Sequence, residues 1–321
     1  MPFIDRPSDR PALVAVVGPT ATGKTRIAVE LALRMDGELV NFDSRQAIAE
    51  LTVGVAKPDP SELRGIICHG LDWRHLGQPY TVADFVDRAQ QTLGAIAGRG
   101  RLPILVGGTG LYLRALLQGF DFGSVPPVHP VTQATVAGSA RTGSLADRLA
   151  AELSWIDPAR AARTDRHNPR RLVRALELAR GGSQPRRADT PWPAVWVGRQ
   201  LSAGALRERI ERRCAELVGP DLLLELDRLC AAGVDQGVLA DAAIGYREAL
   251  DWRARRCGRE QAVARVTQRT WRYARGQRTW FRREPQVHWV GDDDADEATV
   301  LASAVDEVTR GLAGASPSRW G

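Results

Sequence analysis

The sequence predicts an α/β fold: a P-loop NTPase-like parallel sheet flanked by helices, with a helical insertion domain. Three observations point there. Short apolar runs alternate with helix-periodic segments through the first third of the chain; that pattern buries a parallel sheet beneath its crossover helices. A glycine-framed loop joins the first such run to the first such helix. Beyond residue 122 the apolar runs stop, and one returns only at Ala194–Val197. These shifts divide the chain into a core of residues 11–122 and 190–312 and an insertion of residues 123–189.

Taken in order, Ala12–Val17 is continuously apolar and reads as a buried strand. Gly18, Pro19, Thr20, Ala21, Thr22, Gly23, Lys24 and Thr25 follow, then a segment from Arg26 to Arg34 with helical apolar spacing. Glu38–Phe42 reads as a second strand, ending at Asp43. Thr81 has the character of an N-cap with Asp84 three residues on. Val82, Phe85, Val86, Ala89, Leu93 and Ile96 then fall on one helix face, which Gly98 and Gly100 end. Leu102–Val106 is a third strand, leading through Gly107–Gly110 into a helix over Leu111–Leu117. Pro126, Pro127 and Pro130 mark a loop, residues 131–180 are helical in pattern, and Arg180–Pro185 reads as an exit linker. Ala194–Val197 returns as a strand. The remainder is mostly helical, with a short strand at Val287–Val290, a last helix and a frayed tail. Ligands of such sheets gather at the carboxyl ends of the strands. The Gly18–Thr25 loop, Asp43 with Ser44, and Gly107–Gly110 are therefore expected on one rim.

Gly18 to Thr25 matches G-x-x-x-x-G-K-[ST] without mismatch. Glycines let backbone amides wrap an anion, and the helix N-terminus adds partial positive charge. Lys24 supplies a full charge, and the Thr25 hydroxyl can help hold Mg2+. Of 44 basic residues only two, Lys24 and Lys57, are lysine. A compact ammonium suits a phosphate loop better than a planar guanidinium. By the same reasoning Lys57 is either functional or a solvated lysine that persisted.

Asp43 can serve as a base or metal ligand beside the phosphates, or as the N-cap of a following helix. Gly107–Gly110 offers close backbone approach and the Thr109 hydroxyl, or is a strand-to-helix turn. Arginines crowd two segments. One runs from Arg253 to Arg283 with Trp271, Tyr273, Trp280 and Phe281 interleaved; Arg265, Arg269, Arg272 and Arg275 share a helix face there. The other comprises Arg160, Arg163, Arg166, Arg170, Arg171 and Arg174. Against a net charge of only +6, these segments read as RNA-contacting faces or as solvated faces of an arginine-rich chain. No helix-turn-helix or zinc pattern appears, so looped or single-stranded RNA fits better than a duplex reader. The four cysteines and five histidines show no metal spacing, and no nucleophile elbow is present. No stretch approaches a membrane span, and a cytoplasmic protein is expected. From the residues alone, a P-loop kinase and a non-catalytic RNA-binding protein both remain open.

Several segments then occur in a telling order: the Gly18–Thr25 loop, Asp43–Gln46, Val55–Pro58, Gly107–Tyr112, Arg171–Glu177, Ile244–Arg247 and Gln277–Arg282. Together they resemble the tRNA dimethylallyltransferases, also called tRNA isopentenyltransferases, over about Leu13 to His288. The chain departs from the family pattern at Ala47 and Ile48, over Leu51–Val55, near Cys68 and at Arg170. The resemblance implies transfer of a dimethylallyl group from dimethylallyl diphosphate to the exocyclic amine of the adenosine just 3′ of the tRNA anticodon. It implies that the loop and Lys24 grip the diphosphate with Mg2+ near Thr25, that Asp43 takes the amine's proton, and that Thr109 meets the leaving oxygen. Asp43, Ser44, Arg45, Gln46, Arg170, Arg171, Arg174, Arg247 and Arg278 would hold the RNA, and the insertion would contact the anticodon stem-loop. The enzyme would act as a monomer.

Overall fold

The computed structural model describes residues 11–118, 120–121, 145–181, 186–187 and 192–315. The first elements are β1 (Leu13–Val17), α1 (Lys24–Arg34), β2 (Gly37–Asn41), α2 (Pro60–Leu63), β3 (Cys68–His69), α3 (Val82–Gly98), β4 (Leu102–Val106) and α4 (Gly110–Gln118). A two-residue antiparallel pair follows, β5 (Phe120–Asp121) with β6 (Arg186–Arg187). Between them lie α5 (Leu145–Ile156), α6 (Pro158–Ala161) and α7 (Pro169–Gly181). The chain then runs through β7 (Ala194–Arg199), α8 (Ala203–Leu217), α9 (Pro220–Ala231), α10 (Gln236–Ala242), α11 (Tyr246–Arg253), α12 (Arg259–Phe281), β8 (Val287–Val290) and α13 (Glu297–Ala315). Two compact units result: Met1–Gly119 with Thr190–Gly321, and Phe120–Asp189.

Six strands form one sheet in the order β3-β2-β4-β1-β7-β8, with every neighbour parallel. β1 is central and fully buried because its run is apolar on both faces. Val14 and Val16 lie opposite Ile104 and Val106 of β4, and Val16 lies opposite Val197 of β7. Ile27, Ala28 and Leu31 of α1 and Val300, Ala304 and Val308 of α13 pack with these strands in one apolar cluster. α3 starts at the expected cap: Thr81 accepts from the Asp84 amide, and the Asp84 carboxylate accepts from the Thr81 amide. Its Phe85, Ala89, Leu93 and Ile96 are buried.

Three elements differ from the sequence reading. The edge strand β3 is two residues long and carries no run that would mark it. α7 continues through Arg180 and Gly181, so these are helix rather than linker. Asp43 begins a turn, not a helix. The expected loop prolines, residues 131–144 and the rest of the exit linker lie outside the described residues, as does the tail beyond Ala315.

Glu38 is an acid inside β2, 1 % exposed, held by Arg99 at 2.7 Å and His69 at 2.6 Å. Burial alone would raise its pKa; the Arg99 and His69 contacts outweigh that and leave it below the ordinary carboxylate value. A depressed carboxylate stabilises the fold above its unfolded pKa, and the contribution fades as pH falls through the folded one. Glu38→Gln is therefore expected to flatten the acid limb of a Tm-against-pH curve while changing its neutral-pH value in the destabilising direction.

A second buried acid fixes the stretch after the Asp43 turn. Glu225 of α9 accepts from the amides of Thr52 (2.7 Å), Val53 (2.8 Å) and Gly54 (3.1 Å) and from the Tyr246 hydroxyl (2.6 Å). A side chain at Gly54 would collide with the Tyr246 ring. Ile48, where the chain departs from the family pattern, is buried with Leu51, Leu226 and Tyr246 in the same cluster.

Candidate active site

The loop after β1 folds as its glycines require. Gly18 has φ +134° and Gly23 φ +84°, the latter capping α1 in the left-handed region; a β-carbon is disfavoured there. The Thr22 hydroxyl donates to the Pro19 carbonyl at 2.9 Å and closes the loop on itself. Ala21, Gly23, Lys24 and Thr25 line an open cleft of about 620 Å³. Its opposite wall carries Arg209, Arg212 and Arg213 of α8. These three fall at i, i+3 and i+4, hence on one helix face. The sequence reading missed them. Their spacing was visible, but a chain with 44 basic residues offers many such triplets.

Burial, then the Arg213 charge, push the Lys24 ammonium down to about 7, with the Asp43 carboxylate opposing. Lys24 thus senses both the basic wall and the acid at the next strand end. A bound diphosphate adds negative charge here and favours the protonated form. Thr25 is half-buried, and its hydroxyl makes no hydrogen bond among the described residues. Its oxygen and the Asp43 carboxylate are hard donors of the type Mg2+ takes.

Asp43 sits one residue past Phe42, at the carboxyl end of β2. Its Oδ1 accepts from the Arg45 amide at 2.9 Å, and its own amide donates to Asn41 Oδ1 at 3.1 Å. The turn is thereby rigid, with a half-exposed carboxylate on the rim. The Ser44 amide donates to Thr109 Oγ1 at 3.3 Å, so the second and third rim segments touch. Tyr273 of α12 completes the group. It is 41 % exposed overall. Burial of its hydroxyl, and then Asp43, raise the phenol to about 12, against hydrogen bonding by Thr109 and Gln277. It therefore stays protonated as a donor.

Gln277 ties the rim together. Its Oε1 accepts from the Thr20 amide of the phosphate loop at 2.9 Å, and its Nε2 donates to the Gly108 carbonyl at 2.9 Å. Gln277→Ala would leave two inward-facing backbone groups unpaired. A loss of about 1–3 kcal/mol per orphaned group is expected, measured by urea denaturation. The glycines of Gly107–Gly110 are required by this packing. A β-carbon at Gly107 would press on Phe42, one at Gly108 on Gln277, and one at Gly110 on Trp280. Only the Thr109 hydroxyl of this segment joins the polar cluster on the rim.

Other predicted residues take structural positions. Lys57 lines the same cleft as Lys24, and its ammonium is not solvated but engaged: it donates to the Ile48 and Ala49 carbonyls and pairs with Asp72 at 2.5 Å. Its side chain is 8 % exposed. Gln46 donates to the Ala56 carbonyl at 2.7 Å, and Arg45 to that of Ala242 at 2.7 Å. Arg247 pairs with Asp241. The face expected from Arg265 to Arg275 divides. Arg265 meets Asp251 at 3.5 Å and Arg269 meets Glu248 at 2.6 Å. Arg272, Arg275 and Arg283 instead line a groove of about 500 Å³ with Thr279 and Trp280. In the other unit, Arg160 pairs with Asp157 and Arg174 with Glu177. Arg171 is exposed, and the Arg170 side chain is outside the described residues.

This geometry coincides with a family match. The family described as IPP transferase matches residues 46–284. The chain belongs to the IPP transferase family. Its relatives include the tRNA dimethylallyltransferase of Corynebacterium jeikeium, 37 % identical over 92 % of this chain and 97 % of the relative. That of Thermomicrobium roseum is 39 % identical over 87 % of this chain and 86 % of the relative. Among solved structures, the full-length tRNA isopentenylpyrophosphate transferase of Bacillus halodurans superposes with a TM-score of 0.70 at 33 % identity, covering 95 % of this chain and 98 % of its own. The six-stranded parallel sheet with its flanking helices is thus the fold of this family. Among the described residues, no helix is long and apolar enough to cross a membrane.

Proposed function

We propose that this chain transfers a dimethylallyl group from dimethylallyl diphosphate to the exocyclic amine of the adenosine 3′-adjacent to the anticodon in tRNA, releasing diphosphate. The observation that carries the reading is the meeting, on one rim, of a cleft lined by Lys24 and the α8 arginines with the Asp43 carboxylate, Arg213 and Asp43 acting in opposite senses on the Lys24 charge.

In the reaction the allylic C–O bond breaks and its electron pair leaves on the diphosphate. The adenine nitrogen supplies the pair for the new C–N bond and loses a proton. Loop amides, Lys24 and the α8 arginines oppose the charge that grows on the leaving group. Asp43 receives the amine proton, its second oxygen being held by the Arg45 amide. Thr109 and Tyr273 present hydroxyls beside Asp43, suited to the leaving oxygen and to the edge of the base. Mg2+, held by the Thr25 hydroxyl with Asp43 nearby, would add charge neutralisation at the diphosphate.

RNA binding rests on α12 and its surroundings. Arg272, Arg275 and Arg283 with Trp280 offer phosphate contacts beside a stacking ring. Arg278→Ala is expected to weaken tRNA binding about uniformly across sequences and to reduce the salt slope by roughly one unit. Filter binding at several salt concentrations reads both, and an unchanged slope would move the RNA path elsewhere. The kinase alternative explains the phosphate loop equally well. It has no use for the basic aromatic groove, and the family membership stands against it. Transfer of label from the isoprenoid donor to tRNA, with ATP as control, separates the two.

A further inference from the structure

The phosphate loop borders a second cavity whose buried Arg199 has no part in the proposed transfer. Pro19 and Thr22 line it from the loop, whereas Ala21, Gly23, Lys24 and Thr25 face the diphosphate cleft. Its remaining walls are Arg199 at the end of β7, Gln200, Leu201, Leu206, Trp289, and Arg278 and Arg282 of the α12 end. The volume is about 180 Å³. Pockets for whole organic ligands run to about 300–1,000 Å³, so this one suits a small group.

Its arginines are graded by depth. Arg199 is only 6 % exposed, Arg278 is half-buried and Arg282 is exposed at the mouth. Arg199 makes no hydrogen bond or ion pair among the described residues, and its Nε is buried without any partner. Arg278 and Arg282 likewise make none through their side chains. Acids stand nearby but are engaged: Glu297 pairs with Arg26, and Asp293 accepts from the Ser202 amide at 2.7 Å. A buried guanidinium without an acceptor is costly, and a fixed planar donor fork matches a phosphate group. The apolar walls of Leu201, Leu206 and Trp289 strengthen any such attraction by lowering the local dielectric. Burial and the neighbouring Arg209 charge depress the Arg199 pKa, and Arg282 acts similarly on Arg278; an anion would relieve both repulsions.

We propose that Arg199, Arg278 and Arg282 form a second oxyanion site that takes one phosphate group, separate from the diphosphate cleft. The occupant is either free orthophosphate or a phosphodiester of bound RNA. The site does not depend on the transfer reaction, so its failure would leave that reading intact.

The test uses the full chain with inorganic phosphate as probe, read by the rise in Tm and by calorimetric titration. Lys24→Ala with Arg213→Ala weakens the cleft, where Arg209, Arg212 and the loop amides remain, and the Arg199→Leu step then separates the two sites. The phosphate-induced rise in Tm is expected to persist in that double variant and to vanish when Arg199→Leu is added, with at least a tenfold loss in affinity. Should Arg199→Leu fail to fold, Arg282→Ala at the exposed mouth is expected to weaken phosphate several-fold in the same background. A response already absent from the double variant overturns the proposal. So does one untouched by Arg199→Leu or, in its place, by Arg282→Ala. The occupant is read from anticodon stem-loop binding. Where phosphate binding is lost on Arg199→Leu, a salt slope lower by about one unit assigns an RNA phosphodiester, and an unchanged slope assigns free phosphate.

Discussion

Asp43→Ala is expected to lower the transfer rate by roughly 10²–10⁴-fold, the range for a lost general base, with tRNA affinity within about twofold of wild type. The reason is local. Asp43 acts on Lys24 of the phosphate loop and on Tyr273 of α12, so it stands between the loop and that helix, where the proposed reaction needs its base. Its turn is also held by the Asn41 side chain and by the contact of Ser44 with Thr109, which survive the substitution. Asp43→Asn sharpens the experiment. The amide oxygen can still accept from the Arg45 amide, so the turn persists while the base is gone. Single-turnover transfer and stem-loop binding are measured side by side. Retained turnover in Asp43→Asn would remove Asp43 from proton transfer.

Lys24→Ala is expected to cut transfer by about 10²–10³-fold, as for loss of one donor that opposes developing charge. Lys24→Arg is expected to recover little of it. The ammonium sits under the loop against the Pro19 carbonyl and close to Arg213, where a planar guanidinium is longer and lacks the three-way donor geometry. Diphosphate inhibition constants distinguish lost binding from lost chemistry. A Lys24→Arg enzyme with wild-type turnover would mean that net charge alone matters there.

How far the sequence carries can be judged residue by residue. β1, the loop and α1 were legible because an uninterrupted apolar run, two left-handed glycines and a helix-periodic stretch each leave a local signature. Thr81 with Asp84 was legible for the same reason. β3 was not: Cys68–His69 is strand only because β2 offers it an edge. Gly107–Gly110 read either as room for a ligand or as a turn, because sequence shows that a β-carbon is missing, not what occupies its place. Phe42, Gln277 and Trp280 occupy it. Lys57 stood out by composition, yet its burial against Asp72 and two carbonyls is a tertiary fact. Arg209, Arg212 and Arg213 matter because α8 faces the loop, a long-range packing that no local pattern records. Tyr273 and Gln277 reach the rim for the same kind of reason.

The most direct measurement incubates the purified chain with radiolabelled dimethylallyl diphosphate and unmodified tRNA, beside a parallel reaction with labelled ATP. Label is expected on the adenosine following the anticodon, with stoichiometric diphosphate release, and none is expected from ATP. Phosphate transferred from ATP to an acceptor, with the isoprenoid donor left intact, would contradict the account.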